Sequence, residues 1–187
     1  FFNADKGAVT VDRYLMDTPD KGDGSLTGYN VWKWIDYDNY NYPYAGASSP
    51  DFSTNWIILR YAEIYLNDAE ARLETGDVEG ARKAVNVIRQ RVGLPALTES
   101  DPAKLRELIR KERRIEFAFE EQRFYDVRRW KVGPETQTTL HGVRFVSPTE
   151  FKITKTDIRT WNDRLYLTPI PHDEIVRSSV LTQNPGY

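Results

Sequence analysis

Three glutamates, Glu112, Glu116 and Glu120, recur at intervals of four, a spacing that puts their carboxylates along one edge of an α-helix. Two chemistries use such a row: metal ligation, and general acid–base catalysis. Like charges at this spacing repel by roughly 0.2–0.5 kcal/mol per pair, so a fold that keeps them must offset them. Arg113, Arg114, Arg123, Arg128 and Arg129 lie close in sequence, and Arg89 and Arg91 can arrive from a preceding segment. Guanidinium and carboxylate join through two parallel hydrogen bonds. The row therefore reads as an ion-pair network that braces helices.

A second set, Glu63 and Glu70 with Arg60 and Arg72 nearby, reads the same way. Paired-carboxylate catalysis of glycoside hydrolysis needs acids facing each other across a cleft, and two turns of one helix do not supply that. His141 and His172 are the only histidines and stand far apart, and there is no cysteine. A thiolate nucleophile and a cysteine-based zinc site are excluded, and no metal or other cofactor is expected. His172-Asp173-Glu174 suits a helix start, with acids at the positive end of the dipole. No G-x-S-x-G, H-E-x-x-H or P-loop pattern occurs, so nucleophile and phosphate cradle are both missing.

The richest ligand chemistry lies earlier. Tyr29, Trp32, Trp34, Tyr37, Tyr40, Tyr42 and Tyr44 crowd a short stretch, with Asn39 and Asn41 between them. Aromatic faces stack on the apolar face of a sugar ring, while tyrosine hydroxyls and asparagine amides bond its hydroxyls. Tyr37, Asn39, Tyr40, Asn41, Tyr42 and Tyr44 are the candidate ligand-binding residues. The same residue types are favoured at protein interfaces, so seating against another part of the protein fits them as well. Trp32 and Trp34 share one side if Tyr29–Tyr37 forms the short strand its composition suggests.

The chain of 187 residues is long enough for one domain with a sizeable core. A net charge of −2 gives no broad basic footprint for nucleic acid. No run approaches the ~20 apolar residues that cross a bilayer as a helix. The sequence opens on Phe1, and any signal peptide or lipid-bearing cysteine is expected upstream of it.

Behind these residues stand the elements that must position them. Ile58, Ala62, Leu66, Ala69 and Leu73 step along one helix face, predicting a helix over Asn55–Thr75. Gly76 suits the left-handed residue beyond its end, and Asp77 can cap a second helix over Val78–Val92. Val78, Ala81, Val85, Ile88 and Val92 form its stripe. So short a junction predicts an antiparallel pair. Asp101 followed by Pro102 opens a third helix, expected to run to Glu121. A short helical turn is expected over Phe124–Trp130. Strands and loops follow over Phe145–Ile153, Ile158–Trp161 and Leu165–Pro171, then a last turn near Asp173–Arg177.

Ala69, Gly76 and Ala81 sit at the spacing of the small residues of a tetratricopeptide-like hairpin. Three segments then resemble one family. The first is Leu59-Arg60-Tyr61-Ala62-Glu63-Ile64-Tyr65-Leu66-Asn67-Asp68-Ala69-Glu70-Ala71, with Gly76 and Val85-Asn86-Val87-Ile88-Arg89-Gln90-Arg91 following. The second is Glu112-Arg113-Arg114-Ile115-Glu116-Phe117-Ala118-Phe119-Glu120, with Arg123, Asp126, Arg128, Arg129 and Trp130. The third is Tyr166-Leu167-Thr168-Pro169-Ile170-Pro171 through Gln183-Asn184-Pro185-Gly186-Tyr187. Together, in this order, they resemble the C-terminal portion of SusD/RagB-family proteins, most strongly over residues 55–130 and 165–187.

The resemblance implies a mainly α fold: a tetratricopeptide-like helical hairpin plus further helices, with short strands and long irregular loops, as a single domain over residues 1–187. It implies a non-enzymatic, surface-exposed outer-membrane lipoprotein of Bacteroidetes, holding to the membrane only through an upstream lipid anchor. Such a protein captures an oligosaccharide or other nutrient and hands it to a TonB-dependent, SusC-like transporter. Two other classes compete. A tetratricopeptide-type interaction scaffold would need further 34-residue repeats, and a glycoside hydrolase would need two acids facing across a cleft.

Overall fold

The computed structural model describes residues 33–34, 55–147 and 150–187. They fall into two compact units, one of residues 33–34 and 55–125, the other of residues 126–147 and 150–187. The fold is mainly α.

In the first unit, helices α1 (Tyr61–Glu74) and α2 (Val78–Arg91) make the hairpin, and α3 (Pro102–Glu116) packs against both. The apolar stripes are the buried ones. α1 contributes Ala62, Leu66, Ala69 and Leu73, α2 contributes Ala81, Ala84, Val85 and Ile88, and α3 contributes Leu105 and Ile109. These residues and Phe117 form one core cluster. Burying a side chain such as Leu66 or Leu105 stabilises by roughly 1.5–3 kcal/mol. Ala69 and Ala81 are wholly buried, and their small side chains let α1 and α2 approach closely.

The hairpin junction works as the spacing predicts. Gly76 takes φ +89°, a left-handed conformation open to glycine. The Asp77 carboxylate accepts from the Gly80 N–H at 2.8 Å, and Arg72 joins Asp68 at 2.8 Å to Asp77 at 3.0 Å. The α2–α3 connection is tied by Asn86. Its side chain accepts from the Leu97 N–H at 2.7 Å and donates to the Leu97 carbonyl at 3.1 Å. The Asp101 side chain caps α3, with Pro102 in its first turn.

Two boundaries differ from expectation. α1 begins at Tyr61 rather than Asn55, since Arg60 is extended (φ −145°, ψ 159°) and no side chain caps the start. α3 stops at Glu116 rather than Glu121: Phe119 and Glu121 both adopt positive φ, 62° and 63°, a conformation that costs a non-glycine residue free energy. Lys33 and Trp34 lie in a turn, not in the strand expected across them. The other residues of that expected strand lie outside the described residues.

Helix α4 (Gln122–Trp130) is longer than the turn expected there, and leads into the second unit. A four-residue α5 (Gly133–Thr136) precedes an antiparallel hairpin of β1 (Thr139–Ser147) and β2 (Glu150–Ile158). Ser147 pairs with Glu150, so the stretch Phe145–Ile153, expected to hold short strands and loops, contains the end of β1 and the start of β2. A 3₁₀ turn covers Asp163–Tyr166, where a strand or loop was expected, and α6 spans His172–Arg177 with Asp173 and Glu174 in its first turn.

Side chains, more than strands, fasten the chain's last residues. Gln183 accepts from the Ile170 N–H at 2.8 Å and donates to its carbonyl at 2.9 Å, as a neighbouring strand would. Asn184 donates to the Thr168 carbonyl at 2.7 Å, and the Tyr187 hydroxyl to that of Leu167 at 3.0 Å. The signature ending is thus a lock on the Leu167–Ile170 backbone.

Candidate functional site

The glutamate row does not stay on one helix edge. Glu112 and Glu116 belong to α3, whereas Glu120 lies past its end, where the backbone turns twice into the left-handed region. The three are nevertheless braced by cations. Arg89 of α2 reaches Glu112 at 2.7 Å, and Arg91 reaches Glu116 at 2.6 Å, as the arginine spacing predicts.

The centre of the cluster is Arg60, just before α1. Its Nε donates to Glu120 Oε2 at 2.7 Å and its Nη2 to Glu120 Oε1 at 2.9 Å, a two-point fork. Its Nη1 pairs with Glu116 Oε1, and Nη2 also donates to the Glu116 carbonyl at 2.7 Å. The guanidinium lies over the Phe117 ring, 4.6 Å from its centroid, and that of Arg113 lies 5.1 Å away. Arg113 is itself buried. It donates to Asn67 Oδ1 at 2.7 Å and to Gln122 Oε1 at 3.4 Å, and Gln122 donates on to Glu63 at 3.2 Å.

Lys33 and Trp34 close the cluster. The Lys33 ammonium pairs with Glu120 and donates to the carbonyls of Glu116 at 2.8 Å and Ala118 at 3.2 Å. Carbonyls at a helix C-terminus lack intrahelical partners and carry partial negative charge, so a lysine suits them. The Trp34 indole donates to the Phe119 carbonyl at 3.2 Å and stacks on Trp56 at 4.6 Å between centroids.

The Glu120 side chain is 4% exposed. Burial pushes its pKa upward, but hydrogen bonds from Arg60 and Lys33 outweigh burial and hold the carboxyl below the usual glutamate range. A general acid needs the opposite shift. Glu116 and Glu120 also converge on one guanidinium rather than face each other across a gap. Chemically, the arrangement is an ion-paired strut joining α1, α2 and the α3–α4 turn.

Of the arginines expected to offset the row, Arg114 is exposed and pairs with no carboxylate among the described residues, and Arg129 pairs with Asp126 at 2.9 Å. Arg72 braces Asp68 and Asp77, while Arg60 serves the Glu116–Glu120 pair, not Glu63 or Glu70. Among the described residues no group of three His, Asp or Glu side chains is placed to hold a metal ion, and no helix is long and apolar enough to cross a membrane. The ligand candidates Tyr37, Asn39, Tyr40, Asn41, Tyr42 and Tyr44 all lie outside the described residues.

A helical hairpin packed on a third helix, with Arg89 and Arg91 of α2 paired to Glu112 and Glu116 of α3, makes a mainly α scaffold. The chain belongs to the SusD family, whose sequence profile matches residues 7–187. It is 36% identical over 154 residues to SusD-like protein P2 of Formosa agariphila, covering 76% of this chain and 28% of that relative. It is 32% identical over 172 residues to SusD-like protein P25 of the same organism, covering 80% and 31%. Among solved structures, a SusD-like protein from Bacteroides fragilis superposes over all of this chain and 36% of its own length, at a TM-score of 0.84 and 94% identity. The chain thus spans about a third of the length of these relatives.

Proposed function

We propose that this chain is part of a nutrient-binding protein of SusD type, exposed on the outer membrane and held there by a lipid anchor. It captures an oligosaccharide or similar nutrient and passes it to a TonB-dependent, SusC-like transporter, with no bond broken. The observation that carries this reading is the family match across residues 7–187. The geometry of the carboxylates supports it: Glu112, Glu116 and Glu120 are each engaged by arginine or lysine, which suits a scaffold, and they do not face each other across a cleft as glycoside cleavage requires. In this reading the first unit keeps the protein rigid, and Tyr37–Tyr44 either contact ligand or seat against another part of the protein.

Calorimetry of the full-length protein against a panel of oligosaccharides tests capture, and co-purification with the transporter tests handover. The expected result is saturable binding with the sugar recovered intact. Turnover of an oligosaccharide that vanishes in Glu116→Gln overturns the non-enzymatic reading, and a panel without binding overturns glycan capture. Replacing Tyr40, Tyr42 and Tyr44 together by alanine assigns the aromatic stretch: weaker glycan affinity places it at the ligand, and unchanged affinity removes it from the binding site.

A further inference from the structure

We draw no further inference here: the strongest candidate, the face of the β1–β2 hairpin on which Phe151 and Ile153 stand exposed, carries nothing because nothing in the structure shows what covers it.

Discussion

Glu120 holds together what the other carboxylates only flank. It takes a two-point fork from Arg60 and an ion pair from Lys33, so Glu120→Gln leaves two cations half-buried beside a neutral amide. We expect a loss of about 1–3 kcal/mol at neutral pH, read by urea unfolding of the full-length protein. The same variant should change the acid limb. A carboxyl whose folded pKa is depressed contributes stability above its unfolded value of about 4.3, and loses it as pH falls through the folded value. Glu120→Gln should therefore flatten stability below about pH 4.3, and an unchanged acid limb would remove Glu120 from the account. The pairing was half legible beforehand. Arg89 and Arg91 announce themselves because their helix must pack beside α3. Arg60 does not, because its partners lie 56 and 60 residues away and nothing local points to them.

At the scale of elements, the hairpin turns on one glycine. Gly76 is at φ +89° with open space around its α-carbon, so an added methyl meets no clash and the cost is conformational alone. Gly76→Ala should destabilise by about 1–2 kcal/mol in thermal or urea melts; an unchanged midpoint would mean the junction relaxes freely. The helices themselves were readable because burial follows the 3.6-residue period at Ala62, Leu66, Ala69 and Leu73. Their ends were less so. Neither glycine nor proline marks the stop after Glu116. It is imposed by left-handed Phe119 and Glu121, held by distant contacts from Arg60, Lys33 and Trp34. At the other end, Ile58 fits the helical step of α1 but lies at a bend before it and is exposed. In the second unit, strands and loops were legible around Phe145–Ile153, but not the start of β1 at Thr139 or its pairing with β2.

Across the whole molecule, order depends on contacts between segments remote in sequence. The Gln183 amide substitutes for a strand at Ile170, so Gln183→Ala should release the last residues. We expect faster carboxypeptidase trimming and about 1–3 kcal/mol less protection of the Ile170 amide in hydrogen exchange; trimming at the unaltered rate would show Asn184 and Tyr187 suffice. The Lys33–Trp34 clasp has a consequence in time. It joins residues 83 to 85 positions apart, whereas α1 and α2 meet across three. Closing so long a loop costs about 2 kcal/mol more chain entropy than closing one of ten residues, and it has nothing to close onto until the α3–α4 turn exists. The order of assembly is thereby set: helices first, clasp last. In stopped-flow refolding, the signal specific to Trp34 (the difference from Trp34→Phe) should trail the far-ultraviolet helical signal, and a single shared phase would show that the clasp nucleates the turn it grips.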